Sequence, residues 1–235
     1  MAVALTIDSS SGAAITGSSE AFAAFKLSIY NGALRLCRHP RLSALTEDLE
    51  ARYLLDDVWN GGLVVECLEA GLWFFARRTS QLDYDSDLEP AFGRTCVFAK
   101  PGDWVRTMAI CQDDRFNVPL LSVSDEAGYL YADLQTIYVA YVSSGPDYGG
   151  NLALWPQSFV NFVYGRAAEK IIGVLTGAQS SADAVRKESA RLLEVAKSLA
   201  AMNDATAFPP AGSWTRARFG RRAGYDRGNR NSLIG

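Results

Sequence analysis

A mixed α+β fold is predicted by a change of period along the chain. Apolar residues recur every three or four positions before Gly71 and after Pro156, whereas between them short aromatic and β-branched runs are separated by turn formers. Charge is the second observation. Residues 205–235 hold six arginines against one aspartate, a net of +5, which leaves −8 on the rest of a chain whose total is −3. Together these predict an antiparallel helical bundle with a small, mostly antiparallel β region inserted between the second and third helices, followed by an extended C-terminal tail. The expected divisions are a flexible arm over 1–20, a helical domain over 21–71 and 154–204, a β-rich domain over 72–153, and a basic tail over 205–235.

The arm is rich in Ser, Ala, Gly and Thr and offers few large apolar groups. From Ala21 to Cys37 the stripe Phe25, Ile29, Ala33, Leu36 and Cys37, broadened by Leu27 and Leu34, predicts one amphipathic helix, which Pro40 closes. Thr46 and Asp48 are candidate N-caps for a second helix ending at Gly71, with Leu49, Tyr53, Leu54, Val58, Val65 and Leu68 on its inner face. Gly61 and Gly62 interrupt it, so either the helix bends there or another chain comes close. Strands are expected over 72–78, 95–98, 105–111, 120–123, 129–131 and 137–143, with a hairpin turn at 125–128. A third helix starts near Pro156 with Phe159, Val163, Ala167, Ile171, Val174 and Leu175 inward. Ser180 with Asp183 resembles a capping box for a fourth, whose stripe runs Ala182, Val185, Ala190, Leu193, Ala196 and Ala200.

Composition prunes the chemistry. The 235 residues are 49% apolar and 21% charged, which supplies a core and argues against disorder. One histidine excludes zinc sites built from several imidazoles. Cys37, Cys67, Cys96 and Cys111 form no C-x-x-C pair and sit among apolar neighbours, so they read as plain buried residues. No apolar run approaches the length of a membrane span, and the start of the chain lacks a secretory layout, so a soluble, unexported protein is expected. Dinucleotide, P-loop and nucleophile-elbow motifs are missing. His39 lies between arginines without an orienting carboxylate, and reads as a surface residue. The run Asp83, Asp85, Asp87 and Glu89 lacks the spacing of a calcium loop and reads as a solvated loop, as does Asp113-Asp114. An enzyme such as a cell-wall hydrolase would rest on a pair like Asp83 and Glu89, and no spacing singles that pair out. Asp56 and Asp57 can meet Arg52 one helical turn away. In the tail, Trp214, Phe219 and Tyr225 are interleaved with arginines, which suits a nucleic-acid-binding module and an acidic protein partner equally well.

The chain resembles a known family in Ser28-Ile29-Tyr30-Asn31-Gly32-Ala33-Leu34, Leu42-Ser43-Ala44-Leu45-Thr46-Glu47-Asp48, Arg52, Leu55-Asp56-Asp57-Val58-Trp59 and Cys67-Leu68-Glu69-Ala70-Gly71-Leu72-Trp73. The likeness continues more weakly through Pro101-Gly102-Asp103-Trp104, Asp114-Arg115-Phe116, Asp125 to Asp133 and Gly212 to Arg218. The family is the tail tubular protein A family of short-tailed bacteriophages, the head-to-tail adaptors. Residues 1–25, the Gly61-Gly62 pair and Arg221 to Gly235 depart from its pattern.

The resemblance implies a structural virion protein at the head-to-tail junction, made in the host cytoplasm and without catalysis, cofactor, metal or membrane. Such adaptors form a dodecameric ring below the portal protein, hold the tail nozzle protein, and leave an axial channel through which DNA passes unbound. An acidic body fits that passage, since a basic lining would hold phosphates. The same resemblance implies that the tail docks on the portal through Phe208, Trp214, Arg216 and Arg218, with Arg221 and Arg222 beside them, and that Tyr30, Arg52, Asp56, Asp57, Trp59 and Trp73 serve subunit packing.

Overall fold

The structure, a computed structural model, describes residues 19–90 and 93–202. All of these lie in the first of two units into which the chain divides, Met1–Asn203 and Asp204–Gly235. The first helix, α1 (Ser19–Leu36), buries Ile29, Tyr30, Ala33, Leu34 and the following Cys37. It ends in a Schellman turn: Arg38 takes φ +56°, its N–H bonds to the Arg35 carbonyl, and the His39 N–H reaches the Leu34 carbonyl at 2.9 Å.

The second predicted helix is three pieces: α2 (Glu50–Val58), a wide turn over Trp59–Leu63, and α3 (Val64–Glu69). Neither Thr46 nor Asp48 caps it. Leu49 occupies the cap position without a side-chain bond, Glu47 instead accepts from the Ser43 and Ala44 N–H groups, and Asp48 accepts from the Tyr53 hydroxyl. The inner face is also shifted by one or two positions. Ala51, Leu55, Trp59, Leu63, Val64, Cys67 and Leu68 are buried, whereas Leu49 and Tyr53 are exposed. A strict step of four drifts off the face of a regular helix, and a turn that holds an extra residue restores it. The helix bends at the glycine pair. Gly62 sits at φ +91°, and a Cβ on either glycine would have open space around it. Gly62→Ala is therefore expected to cost about 1–2 kcal/mol through the left-handed backbone alone. Gly61→Ala should gain about 0.4–1 kcal/mol. Urea midpoints of the two variants test this pair.

The expected strand at 72–78 gives way to a short 3₁₀ turn, Phe74–Ala76, because Trp73 and Phe75 turn into the helical core against Phe159. The strands are β1 (Arg77–Asp83), β2 (Cys96–Ala99), β3 (Trp104–Cys111), β4 (Ser124–Glu126), β5 (Tyr129–Ala132) and β6 (Thr136–Ser143). They form two antiparallel three-stranded sheets, β1-β6-β3 and β2-β5-β4. The segment 120–123 is not a strand. The β4–β5 hairpin turns instead on Ala127 and Gly128 alone, at φ +50° and +86°, the two positive values of a type I′ turn. Strand β6 carries both cores. Ile137, Val139 and Tyr141 join Phe98 and Leu130 between the sheets, while Val142 joins the helices. The region 72–153 holds the core between the sheets, while its Ala76, Val105, Met108 and Val142 pack into the helical core.

Helix α4 (Gln157–Thr176) starts after Pro156 and stops at Gly177, φ +60°. Its predicted face is buried at Phe159, Val163, Ala167 and Ile171, but Val174 is exposed. Helix α5 (Gln179–Met202) begins one residue before Ser180, so the capping-box reading fails. On its inner face Ser189 replaces the expected Ala190, because the glycine at position 165 lets α4 come close. A Cβ on Gly165 would lie 3.5 Å from the Ser189 Cα.

Candidate functional site

Among the predicted packing residues, Tyr30, Arg52 and Asp56 meet in one network where α1 crosses α2. Lys26, a helical turn before Tyr30, and Tyr30 donate to the same Asp56 oxygen, Oδ1, at 2.9 and 2.7 Å. Arg52 Nη1 donates to Oδ2 at 2.8 Å, and its Nε holds the Glu47 carbonyl at 2.8 Å. The Lys26 ammonium lies 5.2 Å from the Tyr30 ring centroid and 5.5 Å from that of Trp59, while the Arg52 guanidinium lies 3.8 Å from the Tyr53 ring. Phe22 and Tyr30 both meet Trp59 edge to face.

The electrostatics follow from these contacts. Desolvation alone would raise the Asp56 carboxyl, yet the hydrogen bonds from Tyr30 and Lys26, with the charges of Lys26 and the Arg52 contact, outweigh it and hold Asp56 below its ordinary 3.8. Burial first, then the bond to Asp56, pushes the Tyr30 phenol far above its ordinary range. At neutral pH the carboxylate is charged and the phenol is a fixed donor.

Of the predicted packing residues, Tyr30, Trp59 and Trp73 are buried by the chain's own elements, at 0%, 8% and 1% exposure. Asp57 is exposed, and the carboxylate that Arg52 meets is that of Asp56. The tail residues Phe208, Trp214, Arg216, Arg218, Arg221 and Arg222, and the arm, lie outside the described residues.

Two further carboxylates act in the same way and were not visible as sites in the sequence. Glu66 of α3 accepts from Arg166 Nε at 2.7 Å and from Lys170, both on α4, and Arg166 also pairs with Glu169 at 2.8 Å. Asp103 accepts from Arg78 at 2.8 Å, from Tyr141 at 3.1 Å and from Ser143, and its carbonyl takes the Ser144 N–H. Desolvation opposes both, but the Lys170 and Arg166 bonds hold Glu66 down, and those of Ser143 and Arg78 hold Asp103 down. Burial, followed by the Asp103 charge, pushes the Tyr141 phenol up to about 12. Partners one hundred residues apart, as Glu66 and Arg166 are, share no spacing that sequence can reveal. Lys26 was within reach, since it stands one turn before Tyr30.

Chemically, the three carboxylates are clips. Each is charged at neutral pH and tied to cations and hydroxyls from another segment, which fixes α1 to α2, α3 to α4, and the β3 approach to β6. A cleft of about 280 Å³ lies where α1 ends near α5, lined by Cys37, Arg38, Ile172, Ser180, Val185 and Glu188. Burial pushes the Cys37 thiol up to about 11, so it stays protonated. All four cysteines are free and buried. Among the described residues no group of three His, Cys, Asp or Glu side chains is placed to hold a metal, and no helix is long and apolar enough to cross a membrane. Asp83 bonds to Thr136 and Gln81, and Asp113 caps the Asn117 and Val118 N–H groups, so both serve local turns. No family model and no curated protein matches the chain.

Proposed function

We propose that this chain is a structural virion protein, a head-to-tail adaptor that joins the portal to the tail nozzle as a dodecameric ring and leaves an axial channel for the genome. One observation carries the reading. The sequence blocks through which the chain resembles the tail tubular protein A family bond to one another. Asn31 of the first block exchanges two hydrogen bonds with Leu42 of the second, at 3.0 and 2.8 Å. Tyr30 reaches Asp56 of the third, and Trp73 of the fourth shares one hydrophobic core with Tyr30, Leu42 and Trp59. In this reading α1 to α5 form the antiparallel bundle and the six strands are its insertion, which gives each subunit two unlike surfaces. The ring is heterologous, head to tail, and closes on the portal as template. The acidic body lets DNA slide, and the role has no catalytic step.

The basic tail is the portal-docking element in this proposal. Ordering a segment costs about 1–2 kcal/mol per residue, which contacts on the portal would have to offset. Truncation after Asn203 is expected to abolish a stable junction between portal and adaptor, read by electron microscopy of the particle neck. A stable junction without the tail overturns the docking role. Tight, tail-dependent DNA retention on a filter at physiological salt overturns the adaptor reading in favour of a nucleic-acid-binding module.

A further inference from the structure

The sheet edges are not protected alike. At one edge β3 is broken by two register shifts, between Trp104 and Arg106 and between Thr107 and Ala109. In the second sheet β4 has three residues and carries Asp125 and Glu126, while β2 has four and runs into Lys100 and Pro101. Brevity, bulges, charge and proline are the devices that keep an edge from pairing with another chain. β1 lacks them along its middle. It has seven residues in unbroken register with β6, with Thr79, Ser80 and Gln81 at its centre. Among the described residues no strand pairs with its outer side. Its inward Leu82 touches the core between the sheets, so a strand laid alongside would extend a face that is already half buried.

The segment that precedes α1 has the matching pattern. Val3, Leu5 and Ile7 alternate with the small Ala4 and Thr6, a period of two, and Asp8 follows. Residues 9–18 are mostly Ser, Gly and Ala and span up to about 33–36 Å when extended. Charge fixes a direction: Asp8 suits the exposed Arg77 at one end of β1 and is repelled by Asp83 at the other. With Asp8 opposite Arg77 the pairing is antiparallel, and Ile7, Leu5 and Val3 fall opposite Arg78, Ser80 and Leu82. The apolar face of the segment then lies on the same side as the inward face of β1, while Thr6 and Thr79 face solvent together. A one-residue slip would reverse this, which makes the register specific.

We propose that Ala2–Asp8 of a neighbouring copy adds as a strand along the free edge of β1, locking adjacent subunits through main-chain hydrogen bonds. The neighbouring copy rests on the ring reading; the open edge does not. The test mixes full chains that carry Thr6→Cys with full chains that carry Thr79→Cys, on the portal and separately in concentrated solution, under mild oxidation. A disulfide-linked mixed dimer is expected, at least tenfold more abundant than when Thr6→Cys is mixed with Ser80→Cys. Equal linking of both pairs, or none in either setting, overturns the proposal. So does a link that closes inside one doubly substituted chain while the mixture stays unlinked. Rings seen by electron microscopy without the link sink this inference alone, whereas a link in solution with no ring on the portal sinks the adaptor reading alone.

Discussion

Trp73→Ala is expected to destabilise the chain by about 3–5 kcal/mol, the range for deleting a fully buried aromatic side chain. That is a large share of the roughly 5–15 kcal/mol that holds a typical domain folded, so the variant should unfold at a far lower urea concentration or fail to accumulate. Trp73 is 1% exposed and lies where the helical segments and the strand region meet. Its ring centroid is 4.9 Å from that of Phe159 and 6.2 Å from that of Phe162, and Phe75 completes the cluster at 6.3 Å. Phe159 in turn packs on Trp155 at 4.9 Å. The cavity cannot collapse easily, because the backbone is already at its limit around it: a Cβ on Gly71 would come within 2.8 Å of the Trp73 ring. Trp73→Phe separates packing from hydrogen bonding. It keeps part of the aromatic volume but leaves the buried Cys67 carbonyl without the indole donor, and should cost about 1–3 kcal/mol. A loss below about 1 kcal/mol for the alanine variant, read from urea unfolding, would mean that the cluster is not the core of this unit.

The sequence carried much of this fold where local periodicity decides it. The stripe of α1, the inward face of α4 and the existence of five of the strands follow from spacing that any neighbour can read. It failed where a distant partner or a backbone irregularity decides. Regular helical spacing misplaces the face of α2 and α3 because the wide turn at Trp59–Leu63, with Gly62 in a left-handed backbone, resets the phase. Ser189 looks like a surface residue until Gly165 on another helix makes room for it. Propensity places the β1 start five residues early because Trp73 and Phe75 read as strand formers, whereas the Phe159 cluster recruits them as a turn. The carboxylate clips show the same division. Arg52 and Asp56 are one helical turn apart and were legible, but the Tyr30 hydroxyl that shares Asp56 arrives from another helix.

Those clips have a common consequence at low pH. Asp56, Glu66 and Asp103 are all held below their ordinary values of 3.8, 4.5 and 3.8 by bonds that exist only in the folded chain. A group whose folded pKa is depressed contributes stability that is fully present above its unfolded pKa and is lost as pH falls through the folded one. Unfolding free energy should therefore be flat from neutral pH down to about 5 and then fall steeply as these carboxylates take up protons.

Asp56 offers the sharpest test of that account. Asp56→Ala removes the shared acceptor of Lys26, Arg52 and Tyr30, and leaves two cations and a buried hydroxyl in an enclosure built to hold an anion. Breaking a buried ion pair from one side costs about 3–5 kcal/mol, and the lower end applies because the Asp56 side chain remains 23% exposed. Asp56→Asn keeps the shape and one acceptor oxygen, so it isolates the charge. Its cost should be largest at neutral pH, about 1.5–3 kcal/mol for charge-assisted bonds replaced by neutral ones, and should shrink toward zero as pH falls below the folded pKa of the native carboxyl. There the native residue is itself neutral, and the two chains become electrostatic equals at this position. Urea unfolding of both chains between pH 7 and the acid limit reads the gap directly. A gap that stays constant across that range would mean that Asp56 holds α1 to α2 by shape alone, and that the charges of Lys26 and Arg52 are satisfied by water.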